Sequence, residues 1–417
     1  MLNILHRIRD GLAWRLGPLW QRSFQSAIDR DSAWVPLLLM LARLWPAEDT
    51  RRLVRVPFEW LDGTRRGSRH ERMPAQPGES YGPILDGQQR IEAVTLPALA
   101  LHEFRDARVG ATSSAVWFDE GLILERVPAT DLTRGHVAAG FVVGHGQRTA
   151  VVRQLPTEHL DAGFFLGGNG SFNYYHWLVE LLPKLEHLVG HDVPLLVSED
   201  VSRIASFQAA LSLVAGQREV IPLRKDRLYR VARLLHINSP ILCPFNQKPV
   251  HAVQVADFVT RPSALAFLRS RLMAGLDVSA GVARPRLFLG RKSNRRNYNQ
   301  DEVFALFERH GFCMVFMEQL SLTGQRQAVA SAALIAGPTG AAWTNLIFAI
   351  PGTRCLCWMA ELSAGFAGYS NLAHHLGVTL HYVTYSSPAQ TTDQLYQMDY
   401  LLDPTKVERA LERILAA

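Results

Sequence analysis

Residues 334–359 read LIAGPTGAAWTNLIFAIPGTRCLCWM, and this stretch decides the fold. Leu334-Ile335-Ala336 is a short apolar run closed by Gly337. Gly337-Pro338-Thr339-Gly340 has the composition of a turn, and residues 341–350 are small and apolar, as in a buried helix. Pro351-Gly352 stops that helix before a second apolar run over 354–359. The order is strand, glycine turn, helix, turn, strand: one βαβ unit. Where such a strand passes into its helix, the first amides lack partners and the helix dipole favours an anion. The turn formed by Gly337, Thr339, Gly340 and Ala341 is therefore a candidate phosphate site. Its glycines also suit a turn with no other role.

Upstream, Leu287-Phe288-Leu289-Gly290 reads as a strand and Arg291-Lys292-Ser293-Asn294-Arg295-Arg296 as a basic loop. Asn299 can cap a helix that starts at Gln300, carries Asp301 and Glu302 in its first turn and ends at Gly311. Residues 312–317 form the next strand, and Ser321 opens a helix that ends before Leu334. This succession predicts a parallel, Rossmann-like sheet. The basic loop and the glycine turn both follow strands, so they fall on one sheet edge. Four cations at a strand end fit phosphate binding better than a plain solvated turn.

The first half has a similar construction. Residues 162–166 are apolar, 167–171 are GGNGS, and 173–188 read NYYHWLVELLPKLEHL. Trp177, Leu178, Leu181, Leu182, Leu185 and Leu188 make the apolar face of a helix, which Pro183 kinks. His176, Glu180 and Lys184 recur at i, i+4, i+8 on the opposite face. His176 falls in the first turn, at the mouth made by strand ends, where open α/β sheets bind ligands. The plainer readings are a histidine satisfied by the glycine loop and a surface Glu180–Lys184 pair. Strands over 193–197, 220–223 and 229–237 and a helix over 202–215 complete this half. Residues 251–276 have helical periodicity and bridge to the second half.

Residues 1–60 read as helical, with Leu2, Leu5, Ile8 and Leu12 at helical spacing among Arg7, Arg9 and Arg15. Five of the nine tryptophans, Trp14, Trp20, Trp34, Trp45 and Trp60, lie here. That suits a helical cap on the main body or a face for a membrane or partner. Residues 61–83 are polar and rich in Gly, Pro and Arg, and read as a linker. Between 90 and 155 short apolar runs alternate with turns, which predicts mostly antiparallel strands. The expected division is a helical extension and linker over 1–85, an α/β acceptor domain over 86–255, a Rossmann-like donor domain over 256–390 and a helical segment over 391–417.

A chain of 417 residues suits two domains, and 48% hydrophobic with 20% charged residues is a folded composition. The net charge of +6 and pI near 9.3 point to an acidic partner. Cys243, Cys313, Cys355 and Cys357 form no CxxC, so reduced core cysteines are expected rather than a disulfide framework or a zinc site. The apolar run 34–45 falls short of the roughly 20 residues of a membrane span, and no signal-peptide pattern opens the chain. A cytoplasmic protein is expected, with residues 1–60 as a candidate contact to the inner membrane face. No GxGxxG follows a strand, and no GxxxxGK[ST] is present, which disfavours dinucleotide oxidoreduction and P-loop NTP hydrolysis.

Three segments in order resemble glycosyltransferase family 61, which includes capsular-polysaccharide biosynthesis proteins. They are Asn173-Tyr174-Tyr175-His176-Trp177 with Leu182-Pro183, the strand and basic loop from Arg286 through Arg296 with its following acidic helix start, and Gly337 through Gly352. The last resembles a pattern of the form GPHGAGxTNxxFxxPG, with Thr339 where the family has histidine and Ala342 where it has glycine. The resemblance covers roughly 89–383. It implies a GT-B fold, two Rossmann-like domains facing a cleft, and inverting transfer of a sugar from a nucleotide-sugar without an obligatory metal or other cofactor.

On that reading Arg291, Lys292, Arg295, Gly337, Thr339, Gly340, Ala341, Thr344 and Asn345 bind the donor. Cationic groups and amides there would stabilise the leaving diphosphate. His176 and Glu180 are the catalytic candidates, with either as the base that deprotonates the acceptor hydroxyl. Asn173 and Tyr175 stand on the acceptor side. The acceptor would be a glycan or a lipid-linked glycan. A second reading, from Thr339 and the tryptophan-rich start, is a non-catalytic binding or scaffold subunit of a polysaccharide assembly. Nucleic acid is not an expected partner, because no aromatic interleaving accompanies the basic residues. Nothing in the motifs signals an oligomeric state.

Overall fold

In the computed structural model, which describes residues 26–42, 52–125, 139–244, 253–276, 285–292, 296–390 and 392–416, the Leu334–Pro338 strand lies inside a seven-stranded sheet. It is parallel to Arg286–Leu289 on one side and Arg354–Ala360 on the other, with Ile335 opposite Leu287 and Cys355. All five of its residues are buried. Parallel strands covered on both faces need such continuous apolar runs. Gly337 is required by packing: a Cβ there would stand 2.6 Å from Cβ of Leu289. The helix that follows, Ala341–Phe348, is a 3-10 helix. Phe312–Val315 and Thr379–Tyr385 extend the parallel sheet at either end.

The other side of this sheet comes from early in the chain. Gln76–Leu85 pairs in parallel with Thr379–Tyr385, and Gln88–Leu96 pairs antiparallel with Gln76–Leu85. The linker expected over 61–83 is thus corrected, since it contains strands Ser68–Met73 and Gln76–Leu85. Ser68–Met73 reads as loop because it lies on one strand of the larger sheet, Leu99–Gly110, with five of its six residues exposed. Pro83 is tolerated because it falls in the register shift between Tyr81 and Ile84.

The second sheet has eleven strands. Val220–Leu223, Leu195–Ser198, Thr157–Phe165 and Leu228–Ile237 are parallel neighbours. Antiparallel pairing then continues through Leu99–Gly110, Ser113–Phe118 and Gly121–Leu124, as the sequence predicts for that region. Leu53–Trp60 joins this sheet between Gly121–Leu124 and Thr149–Arg153, which corrects the helical reading of 1–60 at its C-terminal end. Its Val54, Val56, Phe58 and Trp60 alternate onto one apolar cluster, the period of a strand. Val35–Ala42 is helical, and Trp14, Trp20 and Trp45 lie outside the described residues.

The expected bridging helix over 251–276 is a turn Val255–Asp257, a short strand Val259–Thr260 and a helix Pro262–Leu272, because Pro262 can open a helix but not continue one. Four free cysteines are present, as expected, but Cys313 is exposed on the outer strand of the seven-stranded sheet, while the others are buried. No helix among the described residues is long and apolar enough to cross a membrane. One apolar core joins the two sheets, with Trp177, Leu195, Leu289, Trp343 and Cys357 in one cluster. The helices that follow the Thr157–Phe165 and Leu334–Pro338 strands therefore meet inside the protein.

Candidate active site

The segment after Thr157–Phe165 turns through its glycines and enters an irregular helix, π-type over His176–Leu181 and 3-10 over Leu182–His187, where Pro183 withholds an amide. Asn173 Oδ1 accepts the Tyr175 amide at 2.9 Å and so shapes the entry. His176 and Glu180 are each only 7% exposed. Glu180 Oε2 bonds Nδ1 of His176, and its Oε1 accepts the amide of Cys243. Both carboxylate oxygens are thereby engaged. With Nδ1 donating to the carboxylate, the imidazole lone pair is on Nε2.

Lys184 does not join this pair. It is fully buried, and its Nζ stands 4.0 Å from Oε2 of Glu125. The surface Glu180–Lys184 pair is corrected on both counts: Glu180 lies in the π segment and Lys184 in the 3-10 segment, and the two side chains take different partners. Glu125 Oε1 in turn accepts the amide of Ser239.

Arg291 occupies the opposite side of the site. Its Nη2 donates to the Thr339 carbonyl at 2.8 Å and its Nη1 to the Arg296 carbonyl at 3.4 Å. Its amide donates to Gln300 Oε1 at 2.7 Å, which ties the basic loop to the next helix. The basic loop and the glycine turn thus share one sheet edge, as their positions after strands require. Burial lowers the Arg291 pKa, and neighbouring Arg296 lowers it further. A guanidinium starts so high that Arg291 remains a cation. Lys292 is exposed with Nζ 4.6 Å from the Phe316 ring, and Arg295 lies outside the described residues.

The turn itself is braced. Trp343 Nε1 donates to the Pro338 carbonyl at 2.9 Å, and the Thr339 amide to Trp358 at 2.9 Å. The Thr339 side chain lies beside the Cys357 thiol. The first helical bond runs from Trp343 to Gly340, which leaves the amides of Ala341 and Ala342 as first-turn donors. Asn299 stands before its helix but makes no capping bond; its side chain bonds Glu302 and the backbone of Leu402.

Asn345 joins the two halves. Its Oδ1 accepts the Tyr174 hydroxyl at 2.9 Å, while its Nδ2, in a residue 2% exposed, has no hydrogen-bond partner. Thr344 is fully buried. Tyr175 is buried too, with its hydroxyl 3.4 Å from the Gly368 carbonyl and its ring edge-on to Tyr369, so it packs between the halves. Among the described residues no group of three or more potential metal ligands gathers.

Sequence reasoning missed several parts. The Cys243 amide offers no side-chain signal. Tyr298, Tyr400 and Tyr385 stack in series at 5.2 and 4.0 Å beside Arg291 and Arg296. Tyr385 ends a parallel strand on the same edge as Leu289 and Pro338, the one clue that placed it there.

Residues 174–356 match the model of the family described as Glycosyltransferase 61, the same family that the three motifs resemble. The match takes in the His176–Glu180 pair, the Arg291 loop and the Gly337 turn, and it supports glycosyltransferase activity for this chain. No curated protein matches the chain.

Proposed function

We propose that the protein is an inverting glycosyltransferase of GT-B arrangement that moves a sugar from a nucleotide-sugar to a glycan in surface or capsular polysaccharide biosynthesis. The observation that carries this reading is the meeting of a His–Glu pair and a cationic, amide-rich turn through Tyr174 and Asn345. The diphosphate of the donor would lie against Arg291 and the amides of Ala341 and Ala342. Charge that grows on the leaving group is stabilised there by donors already in place. Asn345 Nδ2, a buried donor without an acceptor, would take a donor oxygen.

His176 is favoured as the base. Glu180 spends both oxygens on His176 and Cys243, so its role is to hold the ring and stabilise the imidazolium after proton transfer. In one displacement, Nε2 takes the proton of the acceptor hydroxyl, the acceptor oxygen bonds the anomeric carbon from the face opposite the diphosphate, and the nucleoside diphosphate leaves. Thr339 does not disable this scheme, because the cation at the turn comes from Arg291.

The exposed Trp34, Leu37 and Met40 around the Val35–Ala42 helix support a peripheral contact with the inner membrane face, which vesicle co-sedimentation tests. The test of the transfer itself is a screen of common nucleotide-sugars for acceptor-dependent release of nucleoside diphosphate. Release supports the reading. Failure to bind any nucleotide or nucleotide-sugar refutes it.

A further inference from the structure

A cavity of about 630 Å³ lies where the two sheets meet, walled by Val94 and Ala93 from the smaller sheet, Ala100 from the larger, and Leu242 and Val259 from the short pair beside them. The volume is that of a small-molecule site, and most of its wall is apolar. Its polar groups are few. Arg69 and His102 face each other across paired strands, with His236 on the far side of His102. His102 is 2% exposed, and its Nδ1 has no hydrogen-bond partner. Burial, with Arg69 nearby, pushes its pKa down to about 4, so the ring is neutral near pH 7. Glu125 also lines the cavity, with Lys184 buried behind it and making no hydrogen bond.

These groups select the head of a ligand. The lining carries the carboxylates of Asp62 and Glu125 and the guanidinium of Arg69, which pairs with Glu71; even with Lys184 behind Glu125 the cations do not outnumber the carboxylates, so the site does not suit a diphosphate. A neutral imidazole nitrogen and a carboxylate accept hydrogen bonds from hydroxyls. Buried polar atoms without partners are costly, which favours a head that reaches them. The cavity also adjoins the candidate base: Leu242 forms part of its wall, and the amide of the next residue, Cys243, bonds Glu180.

We infer that this cavity holds the apolar chain of the acceptor, which makes the acceptor an uncharged glycoside bearing a single apolar chain. That the bound amphiphile is an acceptor rests on the transfer reaction proposed above; that the cavity binds it does not. The test is titration calorimetry of the full chain with decyl β-glucoside below its micelle concentration, beside glucose and decyl phosphate. Saturable one-to-one binding of decyl β-glucoside is expected, with no measurable heat from glucose and weaker binding of decyl phosphate. Val94→Trp and Ala98→Phe, which fill the cavity from two walls, should each weaken binding at least tenfold while nucleotide-sugar binding and the melting temperature stay near wild type. Two replacements guard against one that fails to fold. No binding of decyl β-glucoside, equal binding by wild type and both variants, or tighter binding of decyl phosphate overturns the inference. Decyl β-glucoside binding as expected, in a chain that turns over no nucleotide-sugar, upholds the cavity and refutes the transferase reading alone.

Discussion

The hydroxyl of Tyr174 donates to Oδ1 of Asn345 at 2.9 Å, across 171 residues of sequence. Tyr174 stands two residues before His176, and Asn345 in the helix after the Gly337 turn, so one hydrogen bond ties the candidate base to the candidate donor turn. Tyr174→Phe should cost about 1 kcal/mol of stability, the worth of a typical hydrogen bond. With Asn345→Ala it should show a coupling of about the same size in a urea double-mutant cycle. Additive effects would mean that the bond does not join the halves energetically.

Glu180→Gln should lower kcat for nucleoside diphosphate release about tenfold to a hundredfold and leave the donor KM nearly unchanged, because Glu180 acts through His176. His176→Ala should cost more, about 100- to 10,000-fold, the range for removal of a general base. Steady-state kinetics on the two variants checks the order. If Glu180→Gln is the more damaging, the roles are reversed.

The Lys184–Glu125 pair offers a test of stability. Removing one partner from a buried pair strands the other charge, at a cost of about 3–5 kcal/mol. Lys184→Met and Glu125→Gln should each destabilise, and the double variant should be more stable than either. Chemical denaturation measures all three. A double variant less stable than both singles would show that the two losses add and that the pair across 4.0 Å is not their common source.

Much of the parallel sheet was legible because its strands are continuous apolar runs with turn residues at their ends. Leu334–Pro338 and Val220–Leu223 are examples. The early strands were not legible. Ser68–Met73 is polar because it is exposed, and Leu53–Trp60 alternates but follows a helical stretch that captured the reading. In the site, His176 with Glu180 and Arg291 with Thr339 came together as helix spacing and strand order require. Lys184 did not, because it lies beyond the change from π to 3-10 geometry at Leu182, so the i, i+4 spacing that joins His176 to Glu180 does not carry on to it. The contacts to Cys243, Glu125 and the stacked tyrosines depend on long-range packing, which spacing alone does not encode.

Acid should destabilise the fold before its carboxylates titrate. Burial holds the pKa of His102 and His375 down to about 4, against an ordinary value of 6.5. Between these values the unfolded chain binds protons that the folded chain does not, so stability falls as pH drops from about 6.5 towards 4. For His102 the full loss is roughly 3 kcal/mol. Denaturation midpoints at pH 7 and 4.5 measure it, and His102→Gln should flatten the profile. Equal stability at both pH values would contradict the neutral burial of these rings.

The most direct test of the central claim compares kcat and donor KM for nucleoside diphosphate release in wild type, Arg291→Ala and His176→Ala, with the best nucleotide-sugar from the screen. If Arg291 holds the diphosphate and His176 takes the acceptor proton, Arg291→Ala raises donor KM about tenfold or more, since charge-assisted bonds to phosphate are the strong ones. On the same account, His176→Ala lowers kcat at least about 100-fold with KM close to wild type. Wild-type turnover in His176→Ala, or unchanged donor KM in Arg291→Ala, would contradict the account.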